Sequence, residues 1–280
     1  MKVSVILSVH NRAQLLRRSL ITYLGQTLNQ EEFELIITDD SSQDNAPEVI
    51  EQFKDQLRIL HLYLQNPKGV FRSQSAGWNV GLSLSKGEVC LFSHPEILMP
   101  PLTLEKMYEA VTGFSDPIFV TMKPYGLSPA CQAKIDTVDW ERDLNRIKSI
   151  PEFYGDSWQD GGRTVWNNKK MEDPKLKWES NTTFAMRRKD LLAIGGFREF
   201  DRWGPDDPDL LKRRQRFGIP TLVLNDLLNY HQNHDELSRE QRKQDFKIPW
   251  YPFRRSAIMK LNRHIGEYQV ISCWRDKVGN

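Results

Sequence analysis

The sequence predicts an α/β domain, with one mostly parallel sheet flanked by helices. Two observations carry this. From Val3 to Val120 short apolar runs alternate with amphipathic segments over mostly short connections, the pattern of parallel strands joined by right-handed crossovers. The composition, 39% hydrophobic and 27% charged over 280 residues, supplies one substantial core and is too apolar for a disordered chain.

Val3–Val9 is a mostly apolar run and reads as a strand. Ala13 to Leu24 follows as a helix, with Leu16, Leu20 and Leu24 at i+4 spacing. The second strand, Phe33–Ile37, ends at the turn-and-cap cluster Asp39-Asp40-Ser41-Ser42. Pro47 then opens a helix carrying Val49, Ile50, Phe53 and Leu57. Ile59–Leu64 is a third strand, Ser73–Leu84 a helix, Val89–Phe92 a fourth strand, Leu102–Val111 a helix and Ile118–Val120 a strand. Between Pro124 and Trp178 the pattern lapses in a stretch holding Trp140, Trp158, Trp166 and Trp178, which reads as a functional lid or binding loop, its tryptophans as readily the makings of small local cores. A strand at Thr182–Met186, a helix at Lys189–Ile194 closed by Gly195-Gly196, a helix at Asp209–Phe217 ended by Gly218 and a strand at Ile219–Leu224 complete the pattern. From Lys247 onward seven Lys/Arg oppose two acids among Trp250, Tyr251, Phe253 and Trp274.

Several function classes are disfavoured at once. A net charge of +2, from 39 basic and 37 acidic residues, lacks the excess of a protein that neutralises many nucleic-acid phosphates. Cys90, Cys131 and Cys273 are odd in number and form no C-x-x-C pair, so neither a disulfide framework nor a structural zinc is implied. The opening apolar run ends at Val9 without a small-residue cleavage site and reads as a strand, not a signal peptide. No run approaches the roughly 18 apolar residues of a membrane span. The protein is expected to be cytoplasmic, and Asn181-Thr182-Thr183 reads as part of a strand and not as a glycosylation site.

Ligands of parallel sheets collect at the carboxyl ends of the strands, which directs attention to His10-Asn11, Asp39–Ser42 and Ser93–Glu96. Neither G-x-G-x-x-G nor G-x-x-x-x-G-K-[ST] occurs. An Asp at the end of the second strand suits a uracil N–H or a ribose hydroxyl; an Asx turn capping the next helix is the plainer alternative. In Ser93-His94-Pro95-Glu96, extended backbone would send His94 and Glu96 to one side, where a carboxylate suits Mg²⁺ or Mn²⁺ and an imidazole tilts the preference to Mn²⁺. A polar exit before Pro100-Pro101 explains the same residues without chemistry. Trp203-Gly204-Pro205-Asp206-Asp207-Pro208-Asp209 reads as a helix start, with Asp207 as N-cap and Pro208 at N1, and equally as a mount for a general base. His231 and His234 follow the last strand.

Together these pieces resemble the family-2 inverting glycosyltransferases of the GT-A fold. Val9-His10-Asn11-Arg12 is similar to their P-x-Y-N-R opening, and FELIITDDSSQD (33–44) to E-x-I-V-V-D-D-G-S-x-D. Gly69 to Gly81 with Asn79, then Lys86-Gly87-Glu88, resembles G-x-x-x-A-R-N-x-G…A-x-G-E. Ala193–Phe197 through Trp203–Leu210 and Arg213 resembles the galactosyltransferase-type segment N-G-F…W-G-G-E-D-D-D-L-x-x-R. Two departures stand out: His94-Pro95-Glu96 occupies the D-x-D position, and Pro205-Asp206 replaces Gly-Glu.

The resemblance implies a single GT-A-like domain: a nucleotide-sugar-binding half at 1–99, an acceptor-binding and catalytic half at 100–235, and a helical, basic C-terminal extension at 236–280. It implies a glycosyltransferase of polysaccharide-biosynthesis type that moves a sugar, with inversion, from a UDP-sugar to a hydroxyl of a glycan or lipid-linked acceptor. The base and phosphates would meet His10, Asn11, Arg12, Asp39, Asp40, Arg72 and Asn79. A divalent cation, Mn²⁺ or Mg²⁺, would be held by Glu96 and His231 with help from His94. Asp207 would be the catalytic base, with Asp206 orienting the acceptor beside Trp203 and Gly204. If no cation takes part, Arg72 or Lys68 would neutralise the diphosphate instead. The basic tail after Lys247 is a candidate contact for the inner face of a membrane. The alternative from another class, supported by the missing Asp pair, is a non-catalytic sugar-nucleotide or glycan-binding protein.

Overall fold

The computed structural model describes residues 1–65, 73–127, 133, 135, 137, 182–200, 206–232, 234 and 268–273, with the backbone alone at 123–126, 207, 208, 225, 226 and 228. The elements run β1 (Val3–Val9), α1 (Ala13–Leu24), β2 (Phe33–Asp39), α2 (Ala46–Phe53), β3 (Ile59–Leu64), α3 (Gln74–Leu84), β4 (Val89–Ser93), β5 (Ile97–Leu98), α4 (Thr103–Thr112), β6 (Phe119–Gly126), β7 (Thr183–Arg187), α5 (Arg188–Ala193), α6 (Asp206–Arg216), β8 (Thr221–His231) and β9 (Tyr268–Cys273).

All the strands join one sheet in the order β5-β8-β6-β7-β4-β1-β2-β3-β9. β1 to β4 pair in parallel, as do β6 and β8, and β4 and β6 both run antiparallel to β7. Six strands therefore share one direction, so the sheet is mostly parallel; β5, β7 and β9 run the other way. β1 and β2 are buried along nearly their whole length because helices cover both faces. Val5, Leu7, Leu35 and Ile37 face α1, α2 and α4; Ile6, Ile36, Leu60 and Phe92 face α3, α5 and α6. The result is the three-layer α/β architecture expected from the alternation.

α3 lies close to the sheet because Gly77 and Gly81 present no side chain to it. A Cβ on Gly77 would stand 2.5 Å from Thr38 Oγ1 and 2.6 Å from Ser8 Oγ, and one on Gly81 2.5 Å from Ile6 Cγ2. Beside this contact Trp78, Phe92, Phe184 and Phe197 pack edge-on and stacked, with centroids 4.8–6.1 Å apart, into the core of the second face.

Three differences from the sequence reading matter. The last strand was expected to stop at Leu224, before Asn225-Asp226, but β8 continues to His231. The turn-forming pair falls in an irregularity where Met122 faces Leu224 and Lys123 faces Leu228. The helix expected to begin with Asp207 as its cap instead starts at Asp206, which puts Asp207 in the first turn. Within the extension expected to be helical, Tyr268–Cys273 is strand β9, antiparallel to β3. Its aromatic and β-branched residues suit a pleated edge, and they continue the sheet beyond β3. The rest of 236–280 lies outside the described residues. No helix among the described residues is long and apolar enough to cross a membrane.

Candidate active site

The in-register pairing of β1, β2 and β4 ends all three strands at one edge: Val9 faces Asp39, and Leu7 faces Ser93. The turns after β1 and β2 are tied together there. Asp40 N–H donates to the Val9 carbonyl at 2.8 Å. His10 Nδ1 donates to the Asp40 carbonyl at 2.7 Å, which leaves its Nε2 to accept from Asn11 Nδ2 at 3.1 Å. Asn11 N–H donates to Ser42 Oγ at 3.0 Å, Gln43 N–H donates to Asn11 Oδ1 at 2.7 Å, and Ala13 N–H donates to Asp44 Oδ2 at 2.8 Å. Asn11 and Ser41 have positive φ, 51° and 57°, a conformation these reciprocal bonds hold in place.

The two neighbouring aspartates separate in role. Asp39 is fully buried, its Oδ1 accepting the Ser42 N–H at 2.8 Å, and its Oδ2 lies 4.0 Å from the buried His61 Nε2. Burial lowers the His61 pKa, against the pull of Asp39. The sequence reading places Asp39 among the nucleotide contacts; the structure turns it inward to hold the β2–α2 turn, and Asp40 is the one partly exposed.

Asn79 is likewise turned inward. It is 6% exposed, its Nδ2 donates to the Phe197 carbonyl at 2.8 Å and to Glu199 Oε1 at 2.9 Å, and its Oδ1 accepts the Phe197 N–H at 2.9 Å. Both amide donors expected to meet a nucleotide are thus used to hold the turn at Gly196, whose φ of +67° suits glycine.

The Glu96 centre comes from two distant segments. His94–Ile97 is a turn closed by Ile97 N–H to the His94 carbonyl at 3.1 Å, not the extended run expected, yet His94 and Glu96 still come together, Nδ1 and Oε1 at 4.0 Å. The pairing of Ile97 with His231 then delivers two further imidazoles: His231 Nε2 at 3.5 Å and His234 Nε2 at 3.8 Å from Glu96 Oε1. Burial by itself raises the Glu96 pKa, but the hydrogen bond with His231 and the charges of His94, His231 and His234 outweigh it and hold it at about 2. Glu96, His231 and His234 each offer a ligand atom within 4.8 Å of the others, a donor set that fits a divalent cation. His234, which the sequence reading notes only as following the last strand, joins this cluster; His94 packs edge-on against Trp78 at 5.5 Å. The spacing H-x-x-H was the signal for it.

A third group sits where α3 and α6 begin. The Ser75 hydroxyl donates to Asp206 Oδ1 at 3.3 Å, and Ser75 in turn bonds the Ser73 hydroxyl. Asp206 is buried. Asp209 accepts from Arg213 Nε at 2.7 Å, and the Arg213 Nη1 donates to the Ile194 carbonyl at 3.0 Å, which locks α6 to the end of α5. Ser75 is a residue sequence reasoning missed, since a serine in a helix carries no pattern. The Asp207 side chain, Arg72, Lys68, Trp203, Gly204, Asn181, Cys131 and the tryptophans between 124 and 178 lie outside the described residues.

Residues 4–128 match the model of the family described as Glycosyl transferase family 2. The validoxylamine A glucosyltransferase of Streptomyces hygroscopicus subsp. jinggangensis is 28% identical over 227 residues, covering 79% of this chain and 53% of that protein. The chain thus spans about half the length of this curated relative. Among solved structures, Staphylococcus aureus TarS 1–349 in complex with UDP-GlcNAc superposes with a TM-score of 0.63 at 16% identity, covering 88% of this chain and 62% of that one. The mannosyltransferase PcManGT of Pyrobaculum calidifontis, in complex with GDP-Man and Mn²⁺, reaches 0.53 at 17% identity, covering 82% and 56%. The chain is thus similar, over residues 4–128, to Glycosyl transferase family 2, and its fold is GT-A-like.

Proposed function

We propose that this chain is an inverting glycosyltransferase that moves a sugar from a UDP-sugar to a hydroxyl of a glycan or lipid-linked acceptor. The observation that carries the reading is the convergence, at the carboxyl edge of the family-matched half, of the joined His10–Arg12 and Asp40–Asp44 turns with the Glu96 cluster. The glucosyltransferase relative and the UDP-GlcNAc complex of TarS support both the reaction class and the choice of nucleotide.

In this reading His10, Asn11, Arg12 and Asp40 receive the base and ribose, while Asp39 and Asn79 hold those walls from within. Glu96, His231 and His234 hold a divalent cation, which supplies neutralising charge to the departing diphosphate. The Mn²⁺ in the PcManGT complex supports the use of a cation in this reading. Asp207, in the first turn of α6 beside the anchored Asp206, takes the proton from the acceptor hydroxyl. The acceptor oxygen bonds to the anomeric carbon, the bond from that carbon to the diphosphate breaks, and UDP leaves. Asp206, tied to Ser75, sets the start of α6 and so the approach of the acceptor. We place the reaction in the cytoplasm at the inner face of a membrane, on the basic, aromatic composition after Lys247.

Turnover against a panel of UDP-sugars and glycan acceptors tests the reading, with Asp207→Asn as the control. The variant should lose roughly 10²–10⁴-fold in transfer with UDP affinity near wild type. Retention of more than about a tenth of the activity would remove Asp207 from the base role. Replacement of the D-x-D pair by His94-Pro95-Glu96 favours one second reading, a sugar-nucleotide or glycan-binding protein without turnover. Tight UDP binding with no transfer or hydrolysis on any donor would select it.

A further inference from the structure

We infer that Glu96, His231 and His234 form a resident transition-metal site that binds an ion such as Co²⁺, Zn²⁺ or Mn²⁺ without nucleotide and discriminates against Mg²⁺. This deepens the cation part of the reading above and rests on it only for the ion's use in transfer.

Protein contacts alone assemble the three donors. Gln232 lies next to His231 and is fully buried. Its N–H donates to the Glu96 carbonyl at 3.0 Å, its side-chain Nε2 donates to the Leu15 carbonyl at 3.1 Å, and its Oε1 accepts from Arg18 Nη1 at 3.2 Å. Leu127 N–H donates to the His231 carbonyl at 2.9 Å. The Glu96 backbone, the His231 segment and α1 are therefore clamped to one another, so His231 needs no diphosphate to bring it to Glu96, and the His234 ring stands 5.2 Å from that of His231.

The donor chemistry sets the class of ion. Mg²⁺ takes oxygen ligands and keeps several waters, whereas two imidazoles with one carboxylate suit the first-row transition ions and zinc. Donors about 2.1 Å from one ion at tetrahedral or octahedral angles stand about 3.0–3.4 Å apart. The observed 3.5 and 3.8 Å from Glu96 Oε1 lie within a few tenths of an ångström of that range, and all three donors lie within 4.8 Å of one another. Three protein ligands leave coordination positions open, the arrangement of an ion that works on a substrate.

Isothermal titration calorimetry of the chelator-treated full chain with Co²⁺, Zn²⁺, Mn²⁺ and Mg²⁺, without nucleotide, tests this, with the Co²⁺ absorption spectrum as a second readout. Co²⁺ should bind one to one with an imidazole-type spectrum, at least about tenfold more tightly than Mg²⁺. His234→Ala should weaken Co²⁺ by about tenfold or more and alter the spectrum, while circular dichroism shows the metal-free variant folded. Gln232→Ala should weaken Co²⁺ in the same direction with the spectrum type retained. Equal affinity for Mg²⁺ and Co²⁺, binding that requires UDP, or an unchanged His234→Ala titration would each overturn the inference. Those results leave the transfer reading standing, which fails separately if no UDP-sugar is turned over with any ion.

Discussion

Replacing Asn79 separates a nucleotide contact from an internal brace. Asn79→Ala removes three hydrogen bonds, at 2.8, 2.9 and 2.9 Å, and leaves the Phe197 N–H and carbonyl without these partners beside a buried aromatic cluster. A net contribution of about 1 kcal/mol per bond, with more for the bond to the charged Glu199, puts the loss at roughly 3 kcal/mol. For a chain of this size that is a drop of about 5–10 °C in Tm. Asn79→Asp should cost more at neutral pH, because it sets a second carboxylate against Glu199 Oε1, and should recover toward the alanine variant as pH falls through the carboxylate range. Urea and thermal denaturation give the stability change, and calorimetric titration with UDP below the transition gives the affinity. The brace predicts lower Tm with UDP affinity within about twofold of wild type. Unchanged stability together with a loss of UDP affinity greater than about tenfold would refute the reasoning and return Asn79 to the nucleotide site.

Further outcomes follow from the packing and from the displaced pKa values of Cys90 and Glu96. Gly77→Ala should destabilise by about 1–3 kcal/mol in urea titration, since its methyl would fall 2.5 Å from Thr38 Oγ1, an atom already committed to the Leu7 carbonyl; no change would mean that α3 is free to lift. Burial pushes the Cys90 thiol up to about 12, so at pH 8 iodoacetamide should label half-buried Cys273 well before Cys90; equal rates by mass spectrometry would contradict this. Glu96 has its pKa held below the ordinary 4.5, at about 2, so its ionised form adds stability above pH 4.5 that is lost as pH falls toward 2. In chelated protein the difference in stability between wild type and Glu96→Gln should therefore shrink steadily over that interval, and a pH-independent difference would count against the shift.

Much of this molecule is legible one segment at a time. The limits of β1 and α1 follow from the apolar run Val3–Val9 and from the i+4 leucines, because a strand buried on both faces and an amphipathic helix each impose a period on their own residues. The turn residues His10 to Arg12 and Asp39 to Asp44 announce themselves by type, and parallel connectivity sends them to one edge without any knowledge of contacts. The order of the motifs pointed to the family for the same reason, since each motif is local.

What only the tertiary structure decided are relations between segments. No local pattern tells β7 to enter between β4 and β6 in the opposite direction, or directs Tyr268–Cys273 to the edge of β3. Asp39 and Asp40 are alike in the sequence; the register against β1 and β3 buries one and leaves the other at the rim, because a shift of one residue reverses every side chain of a strand. Asn79 looks like a ligand contact until the turn at Gly196 closes over it. Glu96 meets His231 and His234 only because β8 runs past Asn225-Asp226 and its end pairs with β5. Periodicity and turn chemistry are properties of neighbouring residues, whereas strand order and register are settled by the packing of the whole core, and the meeting of Glu96 with His231 and His234 is a product of that packing.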